Sequence, residues 1–209
     1  PIIYPESDGK PMADNTEQYH WITYLKSNLD VVFAENPAVF VAGDLLWYPV
    51  KDDSKAKVAP DVMVAFGPTK GDRSSYLQWQ EGNVAPQVVF EVISPSNHPL
   101  EMSKKLSFYE KHGVEEYYAY DPQTFEWAAW QRNSEWLRLI EEPEVRNWVS
   151  PRLGVRFQLE PNQELRVFRP DGQPFKTLLQ LENEKNEALQ RAERLAAKLR
   201  ELGLNPDAL

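Results

Sequence analysis

The chain of 209 residues contains no cysteine. A disulfide framework and thiolate metal ligation are therefore excluded, and the composition suits a reducing compartment. No apolar run approaches the roughly 18 residues that a bilayer-spanning helix needs, and the N-terminal stretch has neither a basic leader nor an apolar segment behind it. The expectation is a soluble, cytoplasmic protein. Histidine is scarce: His20, His98 and His112 form no metal-ligand pair at helical spacing, and there is no HExxH pattern. Without a GxGxxG, P-loop or GxSxG sequence, dinucleotide binding, nucleotide hydrolysis and the common serine-hydrolase elbow lose their main support. Basic residues are also in deficit, 23 against 32 acids, for a net charge of -9. Indiscriminate binding to phosphate backbones relies on lysine and arginine, so this balance argues against it, although an acidic body can carry a local basic surface.

What is present is enough apolar material, 42% of residues with 12% aromatic, for one core plus an appendage. A polar, proline-containing stretch over 1–14 reads as an arm. From Asn15 the recurrence of Ile22, Leu25, Leu29 and Val32 at spacings of three and four predicts a helix, with Glu17 in its first turn. Strand-like runs follow at 39–41, 45–50, 61–66 and 88–93. The polar stretch 67–85 between the last two predicts a long loop, whose Lys70, Arg73 and Trp79 are either ligand-facing or ordinary surface residues. The capping residues before Pro99 open a second helix, with Met102, Leu106 and Tyr109 as its buried stripe and Gly113 as its stop. A strand at 117–120, a hairpin of 127–131 against 136–140, and strand-like pieces at 155–159 and 165–168 complete the body. The order describes an α/β or α+β domain with a mixed central sheet flanked by helices and an added β-hairpin region. Trp127, Trp130 and Trp136 on the hairpin fit core and cross-strand packing, or a surface on which bases stack.

After Pro174 the character changes. Leu178, Leu181, Lys185, Ala188, Ala192, Leu195, Leu199 and Leu202 alternate spacings of three and four, and the intervening positions are mostly charged or glutamine. Residues 174–209 are thus expected to form a coiled-coil helix, favouring a homodimer, or an amphipathic helix docked on its own domain. The basic residues Arg191, Arg194, Lys198 and Arg200 read as its solvated face.

The chemistry concentrates in 60–105. Asp61 opens one apolar run and Glu91 sits inside the next, Val88-Val89-Phe90-Glu91-Val92-Ile93. A carboxylate there is costly to bury without a cation or a metal. Two such acids on neighbouring strands offer hard oxygen ligands to Mg²⁺ or Mn²⁺, near which a water could be activated to attack phosphorus. Lys105, one turn before Tyr109, borders the buried stripe and could reach back to both acids, whereas Lys104 is expected to point elsewhere. Glu17 could add a further acid.

From Glu17 to Pro122 the chain also resembles a known family. The residues that carry the likeness are Pro60-Asp61, Glu91-Val92-Ile93-Ser94-Pro95-Ser96, Lys105 to Tyr109, and Gly113-Val114-Glu115-Glu116-Tyr117-Tyr118 with Asp121-Pro122. They resemble the bacterial family described as putative restriction endonucleases, long a domain of unknown function, within the PD-(D/E)xK nuclease superfamily. The resemblance implies a restriction-endonuclease-like domain over 15–173, with catalytic Asp61, Glu91, Lys105 and Glu17, and with Asp61, Glu91 and Glu17 at the metal. Ile93 stands where the superfamily pattern places a lysine, and the likeness assigns that role to Lys105 on the following helix. Glu101 replaces the aspartate often found four residues before it. Two functions follow as alternatives: a Mg²⁺- or Mn²⁺-dependent endodeoxyribonuclease acting on DNA, or a noncatalytic module that keeps the fold and recruits a partner through its C-terminal helix.

Overall fold

A computed structural model describes residues 3–7, 9, 11–202 and 205. Two compact units divide the chain, Pro1–Phe175 and Lys176–Leu209.

In the first unit, Asn15 caps helix α1 (Thr16–Val32) by accepting a hydrogen bond from the Gln18 amide. Its stripe of Trp21, Ile22, Leu25 and Leu29 is buried. The strands are β1 (Val39–Gly43), β2 (Trp47–Tyr48), β3 (Val62–Phe66), β4 (Tyr76–Leu77) and β5 (Val88–Val92), followed by helix α2 (Pro99–Lys111). Then come β6 (Glu116–Asp121), β7 (Glu126–Arg132), β8 (Leu137–Leu139), β9 (Asn147–Val149), β10 (Arg156–Gln158) and β11 (Arg166–Phe168). A six-stranded sheet of order β1-β3-β5-β6-β7-β8 forms the centre. Its β5 and β6 run parallel, as the α2 crossover between them requires, and its other neighbours are antiparallel. Proline at the first position of α2 and Gly113 at φ 92 just beyond its end fix the length of that crossover.

The central strands are buried on both faces, which is why they read as continuous apolar runs. Side chains alternate between faces. Val62, Val64, Val88, Phe90 and Val92 pack with the α1 stripe. Met63, Ala65 and Val89 pack on the other side with Tyr109 of α2, Val114, Tyr117 and Trp47. A three-stranded sheet, β11-β10-β9, adds Trp148, Phe157 and Val167 to the α1-side core.

Several expectations need adjustment. The strand expected over 45–50 is only Trp47–Tyr48, and its partner lies inside the stretch read as a loop, where Tyr76 and Leu77 pair with it in parallel. Two paired residues leave no periodicity to detect. Strand β9 was likewise not foreseen, since Asn147 and Val149 are exposed and only Trp148 turns inward. Within 67–85, Lys70 donates to the carbonyls of Phe33 and Ala34 at the end of α1, while Arg73 pairs with Glu81 at 2.6 Å and lies over the Phe40 ring. Both are engaged structurally. Trp127 is buried against Tyr118, Trp130 stacks on Tyr117 at 4.8 Å, and Trp136 is exposed.

The second unit contains α3 (Leu178–Glu201), begun by a full capping box in which Thr177 and Gln180 satisfy each other's backbone amides. No helix among the described residues is long and apolar enough to cross a membrane.

Candidate active site

Antiparallel β3 and β5 pair Val62 with Phe90 and Met63 with Val89. Extending that register by one residue sets position 61 opposite position 91. Period-two alternation then turns both carboxylates toward α2, because 61 follows the parity of Met63 and 91 that of Val89. Asp61 and Glu91 are both buried and both line one pocket of about 490 Å³.

Three donors hold the two acids. Lys105 Nζ lies 2.7 Å from Glu91 Oε2, and the Tyr109 hydroxyl donates to Glu91 Oε1. Lys105 and Tyr109 are one helical turn apart, so a single face of α2 grips both oxygens of one carboxylate. Asp61 Oδ2 accepts from the Val92 amide at 2.6 Å, tying the start of β3 to the end of β5. Burial first, and then the neighbouring Glu91, push the Asp61 carboxyl well above the usual carboxylate range, with Lys105 and the Val92 amide opposing. Burial pushes the Lys105 ammonium down, but the attraction of Glu91 and Asp61 outweighs it and the net shift is upward. Tyr109, fully enclosed beside Glu91, is held well above its ordinary value and stays a hydroxyl donor.

The sequence placed Glu17 beside these acids, and the structure does not. Glu17 is exposed and outside the pocket lining, with its charge acting on Tyr120 instead. The neighbouring Gln18 occupies the pocket, because a helix turns about 100° per residue and Gln18 continues the stripe of Trp21, Ile22 and Leu25. Its amide is engaged at both its nitrogen and its oxygen. Gln18 Nε2 donates to the Val92 carbonyl at 2.9 Å, and Gln18 Oε1 accepts from the Asp14 amide at 2.8 Å. One side chain thus fixes the carbonyl of Val92, the residue whose amide grips Asp61, and also the end of the arm. Pro11, Met12, Ala13 and Asp14 form a wall of the pocket, held down where Asp14 accepts from Ser94 and Ser96.

Lys104 also needs correction: it lines the same pocket as Lys105. The pocket lies beyond the strand ends, so a helix residue beside the buried stripe can still border it. Lys57 borders it as well. Sequence reasoning missed Lys57, Gln18 and the Tyr109 hydroxyl. A polar residue in line with an apolar stripe was the available signal for Gln18, whereas Lys57 lies in an irregular segment and carried none.

Among the described residues no group of three or more His, Cys, Asp or Glu side chains is arranged to hold a metal. The donor set nevertheless fits Mg²⁺, which takes one or two protein carboxylates and completes its shell with water and substrate oxygens. Asp61 Oδ1 has no hydrogen bond among the described residues, and each Glu91 oxygen accepts one bond and retains a lone pair.

A comparison with solved structures finds a putative nuclease belonging to DUF820 from Anabaena variabilis ATCC 29413. It shares 17% identity at a TM-score of 0.49, over 72% of this chain and 84% of that one. No curated protein matches the chain. The family model that matches, over residues 10–167, covers most of the first unit together with both acids and Lys105. The chain belongs to the Uma2 family of putative restriction endonucleases.

Proposed function

We propose that this protein is a metal-dependent phosphodiester hydrolase that cuts DNA, with Asp61 and Glu91 holding Mg²⁺ or Mn²⁺. The observation that carries this reading is the convergence of two buried carboxylates and a lysine, from three separate elements, in one open pocket. Structural ion pairs have no need of such an opening. When bound, the ion supplies Lewis acidity toward a phosphoryl oxygen and acidifies water. Lys105, held 2.7 Å from Glu91, keeps a fixed positive charge where negative charge develops on phosphorus. Tyr109 locks the orientation of Glu91, and the Val92 amide locks Asp61. Lys57 and Lys104 at the lining suit flanking phosphates, beside an acid set that also includes Asp14, Asp44 and Glu101. Glu17 has no part in this arrangement. The lack of cysteine suits action in the reducing cytoplasm.

Net charge of -9 favours a second reading, a noncatalytic module that keeps the fold. Incubating supercoiled DNA with the purified full chain, with Mg²⁺, Mn²⁺ or chelator, separates the two. Metal-dependent nicking that Asp61→Ala or Glu91→Ala abolishes supports the hydrolase. Equal cleavage by wild type and Glu91→Ala would reveal a contaminant and leave the module ahead.

A further inference from the structure

Helix α3 carries its apolar stripe in the open. Leu178, Leu181, Leu195 and Leu202 are 77%, 43%, 55% and 75% exposed. The helix itself is well specified, with its capping box at Thr177 and with Lys198 and Arg200 in its last turn. About 36 Å of helix with an uncovered stripe is marginal in water by itself, so a partner surface is called for.

Charge identifies that surface. The first ten residues of α3 hold three glutamates, Glu182, Glu184 and Glu187, against one lysine, Lys185. The remainder holds Arg191, Arg194, Lys198 and Arg200 against Glu193 and Glu201. The helix dipole favours such a division only within the first and last turns. Within the helix Glu187 and Arg191 are four apart, and Lys176 meets Glu184 at 2.6 Å, yet the second half still carries four cations against two acids. A second copy running the opposite way offsets that surplus, since each acidic half then lies along a basic half, twice per pair.

The stripe gives the same direction independently. Parallel, in-register pairing would set Lys185 against its own copy inside the seam, where like charges are costly. Reversed pairing sets Leu178 against Leu202, Leu181 against Leu199, Lys185 against Leu195 and Ala188 against Ala192. Large residues then meet large ones near the ends, small ones meet at the centre, and Lys185 keeps Glu182 of its own helix 3.6 Å away. We propose that α3 is a self-association helix that joins two copies of this chain in antiparallel orientation. Nothing in this inference depends on the hydrolase reading.

Two sets of full-length variants test it. In sedimentation equilibrium the wild type should be a dimer. Reversing one member of the facing pair, by Glu184→Lys or by Lys198→Glu, should weaken it roughly tenfold, and combining the two should restore it. Since the chain has no cysteine, introduced thiols report orientation cleanly. Under mild oxidation Arg191→Cys should cross-link to itself, and Glu184→Cys should cross-link to Lys198→Cys but not to another Glu184→Cys. A monomeric wild type would mean that the stripe packs on its own chain and would overturn the proposal. So would a dimer indifferent to the charge reversals, or efficient cross-linking of Glu184→Cys to itself.

Discussion

Lys105 Nζ meets Glu91 Oε2 at 2.7 Å across a gap of fourteen residues, the distance from near the end of β5 to the middle of α2. The crossover between parallel β5 and β6 lays α2 back over the face on which Glu91 projects, so the pairing is a product of topology. The Glu91 side chain is 3% exposed and the lysine 18%. Removing the cation while keeping the acid leaves a buried carboxylate uncompensated. Lys105→Met should therefore lower stability by about 3 kcal/mol at neutral pH in urea unfolding, and Lys105→Met with Glu91→Gln should lose less than the sum of the two single changes. Strict additivity would mean that the pair is not coupled.

Tyr109→Phe removes one donor to Glu91 and keeps the ring packed beside Trp47 and Tyr117. The expected loss is about 1 to 2 kcal/mol, with the fold retained. A thermal melt unchanged from wild type would show that Lys105 alone suffices to hold the carboxylate.

Gln18 and Glu17 make a sharper contrast, because they are adjacent in sequence and differently placed. Gln18→Ala frees both the Val92 carbonyl and the Asp14 amide, so it should cost about 1 to 2 kcal/mol and reduce DNA cleavage roughly tenfold or more through loss of positioning. Glu17→Ala, on the exposed side, should leave cleavage within about twofold. Steady-state cleavage rates for the two variants check this, and the reverse order would return the auxiliary role to Glu17.

Metal addition offers a test that does not require turnover. If Asp61 and Glu91 hold the ion, millimolar Mn²⁺ should raise the melting temperature of the wild type, since a ligand that binds only the folded state stabilises it. Asp61→Asn should abolish that rise while melting normally without metal. A rise that persists in both Asp61→Asn and Glu91→Gln would locate the ion elsewhere.

The pH dependence of stability should carry a signature of Glu116, which is remote from the ion pair. Glu116 is 1% exposed and accepts bonds from Ser150, Tyr118 and the Arg152 amide. Burial outweighs those bonds, and the carboxyl is raised above its ordinary 4.5 in the folded state. A raised carboxyl binds its proton more tightly when folded, so its contribution is greatest below the unfolded value and declines as pH rises through the folded one. Glu116→Gln should cost stability at every pH, and its deficit relative to wild type should shrink as pH rises above the unfolded value of 4.5. A deficit that grows over that range would mean that the bonds from Ser150, Tyr118 and Arg152 prevail over burial.

Much of this protein was legible in its sequence because local rules were strong. The α1 stripe, the cap at Asn15, the proline and glycine bounding α2 and the doubly buried runs of β3 and β5 follow from periodicity and backbone chemistry alone. The acids drew notice for the same reason, since a carboxylate amid valines and isoleucine needs a partner. The two-residue β2 and β4, the single inward residue of β9 and the arm at the pocket wall had no such pattern. Their places depend on what lies opposite them in space. Asp61 and Glu91 share a face because of an antiparallel register, and Lys105 reaches them because of a crossover. Sequence supplied the charged and apolar residues, while tertiary structure chose which of them meet, because relative orientation and distance between elements are set by packing and not by neighbours along the chain.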